Sequence, residues 1–185
     1  LYSLYLSFTD FSMLADPEWV GLDNYIKLFT NDPKYLEAVR VTLVYVLVSV
    51  PLQLAFALLV AMVLNRGLRG LSLYRSIYYL PSLIGASVAI AVLWRQMFGS
   101  NGLINQILAN FGIEGMSWIG NPETALGTLI ILNVWTFGSP MVIFLAALRQ
   151  IPQYLYEAAA VDGINRWQAF RHITLPMLSP IVLFN

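Results

Sequence analysis

Side chains with reactive groups are sparse in this 185-residue chain, so the first question is whether any of them form a catalytic site. A nucleotide-binding P-loop needs a lysine directly after a glycine. The two lysines are Lys27, which follows Ile26, and Lys34, which follows Pro33. The sequence therefore excludes a P-loop, and with it the commonest site of ATP hydrolysis.

One short stretch, Gly85-Ala86-Ser87, has the Gly-x-Ser spacing of a serine hydrolase. A nucleophilic serine needs a base nearby, and the only histidine, His172, lies in a polar segment much later in the chain. We therefore interpret the small residues as a surface for close helix packing. A lone histidine in a chain without cysteine is a poor metal site. We predict no catalytic residues and no metal site.

Uncharged polar residues interrupt the long apolar runs, and two chemical explanations fit them. Hydroxyl, amide and aromatic groups suit a pathway for polyols, whereas the same polar groups also form hydrogen bonds between packed helices. Both interpretations stay open for any single residue. The candidate pathway residues are Gln53, Ser82, Asn133, Trp135, Thr136 and Ser139.

The most unusual segment is polar and rich in alanine, EAAAVDGINRWQAFRHITLP from Glu157 to Pro176. Pro152 suits a first helical position, and good helix formers follow it. Gly163 fits a helix end that needs a left-handed conformation. Asn165 and Gln168 have the spacing of a capping box, which predicts a second short helix ending near His172. The segment is expected to be a helix–glycine–helix elbow, after which a new helix begins near Pro176.

Two functions fit this elbow. Ala158 and Ala159 leave one side with little bulk, so that another protein can approach closely, and Glu157 and Asp162 can pair with basic groups on that partner. Alternatively, the elbow is an amphipathic helix resting on lipid headgroups. Such helices usually carry a basic polar face opposite Leu or Phe, and this one is acidic and alanine-rich.

The elements that position these residues are long apolar helices. Hydrophobic residues make up 58% of the chain and charged residues 11%, against about 45–50% and about 25% in soluble domains. The stretches 41–64, 76–94 and 124–148 contain no Asp, Glu, Lys or Arg, and each is near or above the roughly 20 residues that cross a hydrocarbon core. The sequence predicts a membrane protein with several crossings.

Charge distribution predicts the orientation. Residues 65–75 and 149–172 together hold six basic and two acidic residues, whereas the rest of the chain holds four basic and eight acidic ones. By the positive-inside rule the first pair is cytoplasmic. The loop 65–75 and the elbow 150–172 are therefore expected in the cytoplasm, and residues 10–34 and 99–123 outside, in a plasma (inner) membrane protein.

The predicted fold is all-α, a polytopic transmembrane helix bundle forming one domain over residues 1–185. Its five expected spans are about 1–9, 38–64, 76–98, 124–148 and 173–185. Because the first and last are short, we expect truncated first and fifth helices. Pro51, Pro81 and Pro140 are expected to kink their helices.

The elbow resembles the EAA loop of permease subunits in binding-protein-dependent ABC importers. The shared pattern is Glu157-Ala158-Ala159, three residues, Gly163, nine residues, and then Ile173-x-Leu175-Pro176. The segments 20–29, 75–84, 102–108 and 144–176 are similar to the carbohydrate-uptake branch, which includes maltose-type and glycerol-phosphate-type permeases. The resemblance covers nearly the whole chain.

This resemblance implies a function and a set of partners. The chain would be the membrane-spanning subunit of an ATP-driven importer for a sugar or related polyol. Its partners would be a dimer of cytoplasmic ATP-binding subunits, a second related permease, an extracytoplasmic solute-binding protein and membrane lipid, with no nucleic acid. ATP and Mg would bind to the partner ATPase, with no cofactor in this chain. The residues implied in ATPase coupling are Glu157, Ala158, Ala159, Asp162, Gly163, Ile173, Leu175 and Pro176.

A second hypothesis keeps the membrane bundle but assigns a different role. In it, the chain is a passive channel or a scaffold whose elbow binds an unrelated cytosolic protein. The two hypotheses differ in whether transport requires ATP.

Overall fold

The computed structural model describes residues 1–12, 16–67 and 70–185, and in these ranges nearly all regular structure is helical. The all-α prediction is confirmed. The helices are α1 Tyr2–Leu6, α2 Asp23–Thr30, α3 Pro33–Leu64, α4 Leu71–Ile84, α5 Val88–Met97, α6 Leu103–Ala109, α7 Pro122–Trp135, α8 Gly138–Gln150, α9 Gln153–Val161, α10 Arg166–Ala169, a π-helical turn Phe170–Thr174, and α11 Leu175–Phe184. Two short strands, β1 Thr9–Asp10 and β2 Glu18–Trp19, pair antiparallel.

Contacts divide the chain into two compact units, residues 1–46 and 47–185, and α3 contributes residues to both. In the first unit, the Asn24 amide donates to the carbonyl oxygens of Ser7 (3.1 Å) and Thr9 (2.9 Å). The predicted span 1–9 is helical only over Tyr2–Leu6, because the chain enters β1 at Thr9.

The core of the second unit is built around α8. Its buried residues meet small and apolar side chains of α3 and one side chain of α11. The buried cluster is Ala57, Leu58, Ala61, Leu64, Phe137, Met141, Phe144, Leu145, Leu148, Ile151 and Leu178. At the start of α8, a Cβ on Gly138 would overlap the Tyr78 carbonyl oxygen of α4. Glycine at this position therefore lets α4 and α8 pack with their backbones in close approach.

The helices differ in whether their length and composition would let them cross a bilayer. Within the described ranges, α3 is long and apolar enough to cross a membrane unaided. The bent pairs α4–α5 and α7–α8 each add one candidate if a pair forms a single crossing. Much of α3 is exposed and apolar, including Leu47 at 70% exposure, as expected for a surface that faces lipid. The five crossings themselves stay a prediction.

Two predicted spans are broken rather than straight. The segment 76–98 contains α4 and α5, which meet at 96°, and the segment 124–148 contains α7 and α8, which meet at 45°. Neither break lies at a proline. The first follows Pro81 by four residues, and the second precedes Pro140. Pro51 lies within α3, which is continuous. The bend before Pro140 agrees with the expected kink, because a proline disrupts the helical turn that precedes it. The break after Pro81 lies beyond the turn that this proline would disrupt, and α4 continues through it.

Candidate coupling site

The first helix of the elbow, α9, has two distinct faces. Leu155 and Tyr156 are half-buried and pack on the core cluster, and Ala159 is 5% exposed. The opposite face carries Tyr154 (65% exposed), Ala158 and Val161 (89% exposed) at i, i+4 and i+7. Residues at this spacing lie on one side of a helix. α9 therefore presents a continuous, mostly apolar surface away from its own core.

Gly163 ends α9 as the sequence predicted, with φ of +75°. The Gly163 N–H donates to the Ala160 carbonyl oxygen (3.2 Å), and the Ile164 N–H donates to that of Ala159 (2.9 Å). This pair of bonds is a Schellman motif, which satisfies carbonyl groups at the helix end. Pro152 lies one position earlier than predicted, at the N-cap of α9 with ψ of 131°. Its fixed φ suits that extended entry as well.

The capping box of the second helix is confirmed. The Gln168 N–H donates to Asn165 Oδ1, and the Asn165 N–H donates to Gln168 Oε1, both at 2.9 Å. The predicted end of this helix near His172 is wrong. α10 continues through the π-helical turn into α11, so the chain is helical without interruption from Arg166 to Phe184.

The π-helical turn ends two residues before Pro176. Its widened geometry is marked by the Leu175 N–H, which donates to the Phe170 carbonyl oxygen five residues earlier. In an α-helix, the ring of Pro176 would clash with the carbonyl of His172 and leave it without a donor. A wider turn relieves that conflict, and single π-turns of this kind often occur at functional sites.

The structure divides the predicted coupling residues between the surface and the interior. Exposed positions are Glu157, Ala158, Asp162, Gly163, Leu175 and Pro176. Ala159 is buried, and Ile173 is half-buried against the core cluster. The Glu157 carboxylate accepts a hydrogen bond from Gln153 Nε2 at 2.8 Å. Ala159 and Ile173 thus hold the elbow on its own bundle, while the other six residues lie at the surface.

Five of the six candidate pathway residues form one polar cluster at the α7–α8 break. Gln53 Nε2 donates to the Thr136 carbonyl oxygen (3.2 Å) and to Thr136 Oγ1 (3.1 Å). Ser82 Oγ donates to the same carbonyl (2.9 Å) and accepts from the Ser139 N–H (3.0 Å). Asn133 Nδ2 donates to Gln53 Oε1 (3.3 Å). The sixth residue, Trp135, packs edge-on against Trp94 with ring centroids 5.4 Å apart.

Pro140 explains why the cluster forms at this position. In a continuous helix, the Thr136 carbonyl would accept from the N–H of residue 140, which proline lacks. Gln53 and Ser82, from α3 and α4, supply the missing donors. An unsatisfied carbonyl is costly in a membrane interior. The polar cluster thus binds three segments together at the break.

No metal site was found in the described ranges, since no three His, Cys, Asp or Glu side chains lie close enough to hold an ion.

Comparison with known proteins then identifies the chain. Residues 30–185 match the family described as binding-protein-dependent transport system inner membrane component. The chain belongs to this family. The resemblance seen in the sequence is confirmed, and the permease is a membrane protein.

Several curated permeases are similar to this one. It is 52% identical over 184 residues to a probable ABC transporter permease, YesP of Bacillus subtilis, covering 99% of this chain and 60% of that protein. It is 36% identical over 168 residues to the lactose transport system permease LacF of Rhizobium radiobacter, covering 89% and 56%. The chain thus spans about three fifths of the length of these relatives.

Solved structures show the same fold. A bacterial ABC transporter that imports the acidic polysaccharide alginate matches with a TM-score of 0.80 and 27% identity, over 100% of this chain and 64% of that one. A second alginate transporter structure, in complex with a periplasmic protein that binds an alginate pentasaccharide, matches with a TM-score of 0.73 and 27% identity over 88% of this chain and 57% of that one. The permease-type helix bundle is therefore confirmed.

Sequence reasoning missed three exposed hydrophobic residues of the permease elbow. Tyr154, Val161 and Trp167 are 65%, 89% and 68% exposed, and Trp167 stacks on Phe170 with ring centroids 5.5 Å apart. Their spacing around Ala158 and Gly163 was visible in the sequence. Their exposure depends on how α9 and α10 pack against the bundle, which the sequence does not show.

We expect Gln53→Leu to destabilise the permease by about 1–3 kcal/mol, because it leaves Asn133 Nδ2 and Thr136 Oγ1 with fewer partners at a half-buried site. Thermal unfolding of the purified protein in detergent measures the change. The matched control is Gln106→Leu, at an exposed glutamine with one hydrogen bond to the Asn101 carbonyl, where surface substitutions stay within about 0.5 kcal/mol. Equal effects for the two variants would contradict a stabilising role for the cluster.

Proposed function

We propose that this permease is the membrane-spanning subunit of an ATP-driven importer for a sugar or related polyol. The proposal is supported by its family and by relatives named for lactose, trehalose/maltose and xylose/arabinose transport. ATP and Mg bind to separate ATPase subunits, in keeping with the lack of a P-loop lysine in this sequence. The permease itself converts the partner's ATP cycle into movement of its helices.

The observation that carries this proposal is the outward face of α9. Tyr154, Ala158 and Val161 line it, and the Schellman motif at Gly163 sets the direction in which the chain leaves. Aromatic side chains such as that of Tyr154 are enriched at protein interfaces. Single exposed hydrophobic residues are normal, but a continuous apolar face rimmed by polar groups marks an interaction site. This face is the proposed docking surface for the ATPase.

In the proposed arrangement, the elbow 150–172 and the loop 65–75 face the cytoplasm. The cytoplasmic orientation was predicted partly from the arginines of the loop 65–75, and one of these, Arg69, lies outside the described residues. A solute-binding protein delivers sugar from the opposite side, as in the complex of the alginate transporter with its periplasmic protein. A second related permease completes the pathway. ATP binding closes the ATPase dimer, draws the two elbows together and opens the pathway outward.

The proposed pathway includes the polar cluster at the α7–α8 break. Gln53, Asn133 and Thr136 offer amide and hydroxyl groups, and Trp135 offers an aromatic face for a sugar ring. If the cluster lines the sugar pathway, a bound sugar should raise the melting temperature of the wild type more than that of the Gln53→Leu variant. A panel of lactose, xylose and arabinose is the probe. A shift that is equal in both proteins for every active sugar would remove the cluster from the pathway.

The proposed docking is tested by Gly163→Ala. A Cβ at this position meets no atom within 4 Å, so its effect is the backbone strain of the left-handed conformation, about 1–2 kcal/mol. We expect the ATPase that co-purifies with the tagged full-length permease to fall by about five- to thirtyfold. Quantitative mass spectrometry of the material purified through the tag measures the amount of ATPase.

Gly112→Ala is the matched control, because Gly112 has φ of +72° and also no atom within 4 Å of an added Cβ. It lies between α6 and α7, in the connection predicted to be external. ATPase recovery should match the wild type. If no ATPase accompanies even the wild type and transport proceeds without nucleotide, the permease is a passive channel or scaffold, and the proposed function is wrong.

A further inference from the structure

One hydrogen bond joins the elbow to the beginning of α11. The hydroxyl of Tyr156, in α9, lies 2.9 Å from Oγ1 of Thr174, the last residue of the π-helical turn. Thr174 is only 6% exposed, and Tyr156 packs on the core cluster. Because both groups are largely shielded from water, each hydroxyl loses more when its partner is removed than a surface hydroxyl would.

The rest of the elbow offers α9 a second, longer connection to α11. From Val161 the chain passes through the turn at Gly163, α10 and the π-helical turn before it reaches Leu175. Gly163 is exposed, an added Cβ there would meet no atom within 4 Å, and a π-turn carries a widened and locally altered hydrogen-bond pattern. At both places the regular α-helical hydrogen-bond pattern is interrupted. The Tyr156–Thr174 bond bypasses them.

We propose that the Tyr156–Thr174 hydrogen bond makes α9 and the first turn of α11 move as one body, so that displacement of the docked elbow is passed to α11. Tyr156 and Thr174 are positioning residues in this inference, which rests on the proposed ATPase docking. The docking surface itself lies on the other face of α9, at Tyr154, Ala158 and Val161. Loss of the bond should therefore leave docking intact and impair the transmission of movement.

The first test measures the elbow without nucleotide or ATPase. Spin labels are placed in the full-length permease at Val161→Cys and Leu183→Cys, where the native side chains are 89% and 90% exposed. Any cysteine outside the printed sequence is replaced beforehand. Electron paramagnetic resonance should give one narrow distance in the otherwise wild-type protein. In Tyr156→Phe, the fraction of molecules whose label distance lies outside this narrow range, because α9 has separated from α11, should rise about fivefold. A fivefold change corresponds to the loss of about 1 kcal/mol.

Thr174→Val should reproduce this change, and the double variant should add nothing further, since one interaction has been removed in all three. Thr174→Ser keeps a hydroxyl and should restore the wild-type distribution. A second label pair, Leu129→Cys with Leu183→Cys, reports whether the bundle remains folded. If Tyr156→Phe and Thr174→Val both keep the narrow wild-type distance, the inference is wrong.

The second test adds the ATPase subunits and Mg·ATP. In the wild type the Leu129–Leu183 label distance should shift, because α11 follows the elbow. In Tyr156→Phe the shift should be reduced while ATPase recovery stays equal to the wild type. An unreduced shift overturns the inference and leaves docking standing. Failure of the ATPase to bind the wild type overturns the proposed function instead, and the nucleotide-free measurement still decides whether the bond joins the two segments.

Discussion

Val161→Asp should remove the ATPase subunit from the purified permease. The Val161 side chain is 89% exposed on α9, in line with Tyr154 and Ala158. A carboxylate placed in an apolar contact must lose its water without gaining a partner. Truncating or disrupting a central interface residue costs about 2–4 kcal/mol in many complexes. That range corresponds to about a 30- to 1,000-fold loss of affinity. Co-purification followed by quantitative mass spectrometry is the measurement.

The control for this variant carries the same new charge on another exposed apolar residue. Ile113→Asp alters a side chain that is 52% exposed in the connection between α6 and α7. It should leave ATPase recovery unchanged. Because Val161 makes little contact with its own bundle, thermal unfolding of Val161→Asp without the ATPase should also match the wild type. Retention of the ATPase by a folded Val161→Asp protein would show that this face of α9 does not dock.

Asn105→Leu should give a large loss of intrinsic stability. Asn105 is 7% exposed, and its Nδ2 donates to the carbonyl oxygens of Gly99 (3.2 Å), Ser100 (2.8 Å) and Met116 (2.7 Å). Its Oδ1 accepts from Trp118 Nε1 at 2.7 Å. Leucine makes none of these bonds, and a buried polar group without a partner costs about 1–3 kcal/mol. The expected total is about 3–5 kcal/mol, near the upper end for single substitutions.

Thermal unfolding and limited proteolysis of the 99–121 connection together test this expectation. The melting temperature should fall, and cleavage within the connection should become faster before the bundle unfolds. Asn110→Leu, at an exposed asparagine in the same connection, should change neither. Gly115→Ala should resemble Asn105→Leu, because an added Cβ would overlap the Asn105 side chain. A stable, protease-resistant Asn105→Leu protein would contradict this explanation of the connection.

Features that depend on neighbours in the sequence were predicted well. Gly163 has the left-handed conformation expected of it, and Asn165 and Gln168 form the expected capping box. Both depend on residues at most five positions apart, so the relevant atoms can be identified from the sequence. The helical membrane class was equally visible, since 185 residues cannot bury three long charge-free runs in a soluble core, and runs of about 20 apolar residues suit helices that cross a bilayer.

The tertiary structure decided what depends on residues far apart in the chain. Gln53 meets Thr136 across 83 positions, Ser82 meets it across 54, and Tyr156 meets Thr174 across 18. Five of the six pathway candidates meet at the α7–α8 break, and their grouping near the Thr136 carbonyl follows from the lack of an N–H at Pro140. The sequence likewise could not show that Ala159 is buried and Ala158 exposed.

By itself, then, the sequence determined the helical class of this permease, the turn at Gly163 and the pattern that places it in its family. Periodicity, capping and chain stiffness act over a few residues, and a sequence displays them directly. Only the tertiary structure decided where the long helices break, which face of α9 is available to a partner and which hydroxyl joins the elbow to α11. Those features arise from packing between distant segments, and a substitution at either end can change them.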